Sequence, residues 1–284
     1  MPELADTVAA AAADPHGPRR GIAAWADWYV GMGVLDSVEP GGVDRYASAS
    51  GRPFAVSSAV PDLPAAPALP LPAPTVPAEA DGVATARAVA AACGSLAELE
   101  AALARLELCP LAETATRLCF ADGRPDAPLM LVGEAPGAEE DRQGRPFSGP
   151  SGRLLDRMLA AAGLSREDDA YLTNVVYWRP PGNRAPTSSE IATCLPFLER
   201  QVELLRPRVL VSVGGVAARV LLDLKDGVGR LRGRRFLYQP GDGGPAVPTF
   251  VMFHPAYLLR MPLQKRLAWR DMLLIRAELR EAGR

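Results

Sequence analysis

"PLMLVGEAPGAEEDRQGRPFSGPSGRLLDRMLAAAGL", residues 128–164, opens as a strand and closes as a helix. The run 128–133 is short, apolar and unpatterned, as expected of a strand covered on both faces. The pairing recurs three times. "AYLTNVV" (170–176) precedes "SSEIATCLPFLERQVELL" (188–205), and "RVLVSVG" (208–214) precedes "GVAARVLLDL" (215–224). "TFVMF" (249–253) precedes a C-terminal helix expected from about Pro262. Strands alternating with helices predict an α/β fold, a three-layer α/β/α arrangement around a central, mainly parallel four-stranded sheet. Ligands of such sheets gather at the carboxyl ends of the strands. The segments standing there are "GEAPG", "NVVYWRPPGNR", "GG" and "HPAYLLR", so the fold gathers the unusual residues along one rim.

The loop 133–152 has the glycines of a nucleotide-binding turn but neither the lysine of a P-loop nor the spacing of a dinucleotide fingerprint. It carries carboxylates where a phosphate binder would carry positive charge. Over 284 residues the net charge is −2, so any grip on a polyanion must come from one local face. The apolar fraction of 48% is ample for a core, and no run reaches the roughly 20 apolar residues of a membrane span. The acidic, alanine-rich N-terminus lacks a basic leader segment, and Cys93, Cys109, Cys119 and Cys194 are too irregular for a disulfide framework. A cytoplasmic location is expected.

Residues 1–52 read as a helical extension, with Trp25, Trp28, Tyr29 and Met32 at helical spacing, suited to packing or to a protein partner. Residues 53–84 read as a Pro/Ala-rich, extended linker. Residues 85–284 form the folded domain. Its first part is helical and interrupted near Gly94, with Ser95 as cap and Glu98 completing a capping box.

Single residues here admit two readings. His254 is one of two histidines, the other being His16, and a lone histidine is more often structural than catalytic. Its place after a strand favours function. Asn174 either braces a loop or reads the edge of a planar ligand. Phe147 is either a core aromatic or a stacking platform, and Glu134 either a helix cap or a carboxylate beside a reacting centre. Arginine clusters such as "RLRGRR" (230–235) are usually solvated surface.

Taken together, "GEAPGAEEDRQGRPFSGPSG", "YLTNVVYWRPPGNRAP" and "HPAYLLR" closely resemble the three motif regions of the bacterial and archaeal family 4 uracil-DNA glycosylases. The similarity runs from about Leu106 to the C-terminus; the extension and linker lie outside it and resemble those of a proteobacterial branch. The resemblance implies a monofunctional glycosylase of base excision repair, releasing uracil from single- or double-stranded DNA and leaving an abasic site. Gly133 and Ala135 would bring backbone close to the base, Phe147 would stack on it, Asn174 would read its edge and Glu140 would crowd C5. Cytosine would leave buried polar atoms unpaired, at about 1–3 kcal/mol each. His254 would donate to O2 as charge builds on the leaving base, and Glu134 would orient water toward C1′. Contacts to DNA would come from Arg142, Arg145, Ser151, Arg184, Arg232 and Arg260, with Tyr257 and Leu258 filling the vacated stack.

Two departures from the family pattern stand out. Family 4 members hold a four-iron cluster on four cysteines, and the matching positions here are Leu106, Cys109, Trp178 and Cys194. Leucine and tryptophan cannot ligate iron, so no cluster or other metal is expected, unless Cys119 helps rebuild the site. Relatives that trap DNA covalently use a histidine in the loop after the asparagine strand, and "RPPGNRAPTSSE" has none, so turnover is expected. The alternatives are a non-catalytic damaged-DNA binding protein, or the same chemistry on hypoxanthine or xanthine. A monomer is expected.

Overall fold

The computed structural model describes residues 78–281. The extension with Trp25 and most of the linker lie outside the described residues. Helix α1 (Ala78–Ala92) already spans position 84, so the linker's expected end falls inside a helix. Alanine-rich sequence before Gly82 supports this, since alanine is the best helix former. Helix α2 (Leu96–Ala104) is capped by Ser95, whose hydroxyl accepts from Glu98 N–H at 3.2 Å. Glu98 reaches back to Gly94 N–H (2.7 Å), one residue before the expected position, so the reciprocal bond spans the interruption as well as the cap.

After the single turn α3 (Leu111–Thr114) come β1 (Asp122–Gly123), β2 (Leu129–Gly133), α4 (Ala138–Gln143), α5 (Pro150–Ala161), α6 (Arg166–Asp169) and β3 (Ala170–Asn174). Helix α7 (Ser188–Leu205), β4 (Val209–Val213), α8 (Gly215–Leu222), α9 (Val228–Leu231), β5 (Arg235–Tyr238) and β6 (Val247–Met252) follow. The chain closes with α10 (Pro255–Arg260), a 3₁₀ turn (Pro262–Gln264) and α11 (Lys265–Glu281). The sheet has six strands in the order β1-β3-β2-β4-β6-β5, not the four expected. The inner four are parallel, as expected, and the outer two are antiparallel. Both were missed for physical reasons: β1 is two residues long, and β5 alternates exposed and half-buried side chains within an arginine-rich stretch.

Alternation along the buried strands divides the core in two. Met130, Val132, Tyr171 and Leu210 face α1, α2 and α7, with Phe197, Leu198 and Val202 on α7 closing that side. Leu129, Leu131, Leu172, Val211 and Met252 face α5 and α11 through Leu155, Met158, Leu159 and Met272. A sheet buried on both faces offers a ligand only its ends. None of the helices among the described residues is long and apolar enough to cross a membrane.

Candidate active site

The rim is assembled by register. Gly133, the last residue of β2, pairs with Asn174, the last of β3, and Val175 N–H continues the ladder to Gly133 O at 2.9 Å. At the other side of the rim Gly214 N–H bonds Met252 O (3.0 Å), which brings the residues after β4 and β6 together. The segments that follow β2, β3 and β6 line a cavity of about 490 Å³. Its walls are Glu134 to Gly137 and Glu140 after β2, Phe147 and Ser151 around the start of α5, and Asn174. Pro180, Asn183 and Arg184 close one side; His254, Ala256, Tyr257 and Arg260 close the other.

Gly133 explains why a glycine must stand at the centre. A Cβ there would lie 2.3 Å from Asn174 Oδ1 and 2.7 Å from Phe147 Cζ. The amide and the ring thus converge on one backbone point, and both are nearly buried, at 3% and 5% exposure. Phe147 and His254 lie with ring centroids 5.9 Å apart and planes 25° from parallel. Three groups suited to a flat ligand therefore share one small volume: a π face, an amide edge and an imidazole.

His254 caps α10, and its Nδ1 accepts the N–H of Ala256 at 3.1 Å. An accepting Nδ1 leaves the proton on Nε2, so the free nitrogen is a donor. Burial lowers the imidazole pKa to about 4, against the opposing pull of Glu140 and with help from Arg260. The side chain is thus a neutral donor at physiological pH. Gly214, at φ +106°, sits against it: a Cβ there would touch His254 Cβ at 3.4 Å.

The two carboxylates of the first loop differ in environment. Glu134 is pushed above the usual carboxylate range by burial, partly offset by the charge of Arg219. Glu140 is tied down: its two oxygens accept Gly137 N–H (3.2 Å) and Gly149 N–H (3.0 Å), locking the loop before α4 to the loop before α5. It lines the cavity, but as a cross-brace.

The expected DNA contacts separate. Ser151, Arg184, Tyr257 and Arg260 line the cavity. Arg184 is engaged there by Glu190 through two bonds of 2.6 and 2.9 Å. Arg142 and Arg145 stand outside the lining, exposed but paired with Glu139 and Asp122. Two expectations need correction. Arg232 is engaged within the protein: its half-buried guanidinium donates to Asp271 (2.9 and 2.8 Å) and Leu267 O (2.7 Å), which makes it a brace between the loop after α9 and helix α11. Leu258 is fully buried in the core under α5 and α11, with no surface left to fill a base stack. Its neighbour Leu259 is the exposed one, at 41%. The cavity also includes Asn183, which sequence reading passed over. Gly182 and Asn183 both have positive φ, and the sequence signal was the "PPGN" turn, since glycine and asparagine tolerate that conformation.

The positions that match cluster ligands, Leu106, Cys109, Trp178 and Cys194, are all buried in the same hydrophobic core cluster. The two thiols are 4.0 Å apart. Cys119 points elsewhere, donating to Glu140 O at 3.1 Å, and burial pushes its thiol up to about 12. No group of three or more His, Cys, Asp or Glu among the described residues is arranged to hold a metal ion.

The pattern of the Uracil DNA glycosylase superfamily matches residues 120–275. The chain is 41% identical over 158 residues to the type-4 uracil-DNA glycosylase of Archaeoglobus fulgidus, covering 54% of this chain and 78% of that protein. It is 42% identical over 153 residues to that of Thermotoga maritima (54% and 77%) and 37% identical over 171 residues to that of Pyrobaculum aerophilum (59% and 86%).

Proposed function

The chain belongs to the uracil DNA glycosylase superfamily, and from that premise we propose that its rim cavity removes uracil from DNA by hydrolysing the N-glycosidic bond. The observation that carries the proposal is the convergence of Asn174 and Phe147 on Gly133, with His254 beside the Phe147 ring in the same cavity. In this reading the extruded base lies on Phe147, and the Asn174 amide accepts from N3–H and donates to O4. Extrusion costs a few kcal/mol, least from single strands or mismatches. The neutral His254 donates through Nε2 to O2 as the base departs with its charge; a preorganised donor of this type contributes about 3 kcal/mol. Glu134 orients water toward C1′ and stabilises the sugar cation. Its partial burial raises its basicity, while nearby Arg219 favours the ionised form.

Arg260 and Ser151, at the mouth, are the best placed phosphate contacts, and Leu259 replaces Leu258 as the side chain able to occupy the vacated stack. The residues do not fit a four-iron cluster: two of the four positions, Leu106 and Trp178, supply no thiolate, and Cys119 donates to a carbonyl. We therefore assign no cluster and read the patch as an apolar plug. Released uracil with free enzyme is the expected product state, since the loop 179–190 contains no histidine nucleophile.

Incubating the full chain with uracil-containing single- and double-stranded oligonucleotides, followed by hot alkali, tests the reading. Strand scission at uracil is expected. Scission only at hypoxanthine or xanthine would reassign the substrate, and binding without scission would make the chain a recognition protein.

A further inference from the structure

We propose that Arg166 is the positioning residue for Phe147: its guanidinium fixes the backbone of the loop that carries the ring. The kinetic part of this inference rests on the function proposed above. Arg166 opens α6, is 8% exposed and does not line the cavity. It donates to the carbonyls of Phe147 (Nη2, 2.8 Å) and Pro146 (Nη1, 3.2 Å). Its other hydrogen bonds go to Asp122 of β1 (Nη1, 2.7 Å) and to Asp156 of α5 (Nε, 2.8 Å), with Nη2 in ion-pair contact with the same Asp156 oxygen at 2.7 Å. Four of the five guanidinium N–H groups therefore make hydrogen bonds, and Nη2 adds the ion-pair contact to Asp156.

The loop needs such a clamp because Phe147 has φ +54°, a left-handed conformation unfavourable for an aromatic residue. From the other side, Gly152 presses on the same peptide: a Cβ there would lie 1.6 Å from Phe147 O. The first turn of α5 and the Arg166 fork together hold one carbonyl, and that orientation sets the ring against Gly133 and parallel to His254. Asp122 and Asp156 exceed the guanidinium by one negative charge, and Arg145, paired with Asp122, brings the group of four to neutrality.

A double-mutant cycle combined with hydrogen exchange tests this. Arg166→Gln is expected to lower kcat/KM for uracil DNA by about 10- to 100-fold, the penalty for misplacing a contact group by about 1 Å. In a Phe147→Ala background the same change should cost less than about 3-fold, because a residue acting through the ring has nothing left to act on. Arg166→Lys, with three donors and no fork, should recover melting temperature but not rate. Without DNA, exchange should rise across residues 145–151 of Arg166→Gln and stay unchanged in β2 and β4. Equal losses in both backgrounds, or unchanged exchange in the loop, would overturn the proposal. If Arg166→Gln does not fold, Asp156→Asn, whose carboxylate is 44% exposed, should show the same two effects more weakly, and their absence is equally decisive. A wild-type chain that releases no uracil would defeat the proposed function, while loop exchange would still judge Arg166.

Discussion

Gly133 and Asn174 are register partners at the ends of β2 and β3, and the amide oxygen of Asn174 occupies the space that a side chain on Gly133 would need, 2.3 Å from an added Cβ. The missing methyl is therefore what lets both the Asn174 amide and the Phe147 ring approach the strand end.

Gly133→Ala should accordingly damage the site more than the fold. Both displaced groups are side-chain ends that can swing into the cavity, so stability should fall by about 1–3 kcal/mol. The misplaced ring and amide should lower kcat/KM about 100-fold. Thermal melts beside single-turnover kinetics check the pair; near-normal turnover would refute the convergence at Gly133.

The pH profile follows from two groups. In the proposed mechanism His254 acts as a neutral donor, and a pKa of about 4 keeps it neutral through the physiological range, so the rate should not fall as pH rises through 6.5. A mechanism needing imidazolium would lose rate there. On the acid side, Glu134 must be ionised, and its raised pKa should start the loss above the usual glutamate value of about 4.3. Stability has its own sign: between pH 6.5 and 4 the unfolded chain holds the extra proton on His254, so this contribution is complete above 6.5 and lost toward 4. Rate profiles of wild type and Glu134→Gln, with melts across the same range, test both statements.

Adjacent leucines should separate cleanly. Leu258→Ala empties a buried site and should cost about 2–5 kcal/mol of stability. Leu259→Ala should leave the melting temperature within error and slow excision from duplex more than from single strands, because only duplex leaves a gap in the stack. Equal duplex and single-strand effects would remove Leu259 from that role.

The arginines should divide in the same way. Arg232→Ala strands the buried Asp271 and should lose about 3–5 kcal/mol of stability without changing the salt dependence of DNA binding. Arg260→Ala should weaken binding to all sequences and reduce the slope of log affinity against log salt by about one. Fluorescence titrations at several salt concentrations distinguish them.

Iron content gives an independent check on the cysteine patch. Protein purified without oxygen should be colourless, with no absorption band near 400 nm, and Cys194→Ser should lower stability rather than release iron. Stoichiometric iron would mean the patch had been misread.

The residues of this chain determined the four parallel strands and the rim they share, because strands buried on both faces must be short continuous apolar runs and their carboxyl-end loops must carry the polar chemistry. They also brought Glu134, Asn174 and His254 into view, each standing directly after or at the end of such a run. Tertiary structure decided what depends on partners distant in sequence. The edge strands β1 and β5 take their hydrogen bonds from β3 and β6, and for β1 the residues themselves, Asp122 and Gly123, do not favour a strand. Which of Leu258 and Leu259 faces water was set by a rotation of about 100° on α10 against the core, a difference adjacent identical residues cannot encode locally. Arg232 and Arg166 look like any surface arginine until folding brings Asp271 from 39 residues away and Asp122 from 44, and a buried guanidinium is tolerable only where such partners meet it.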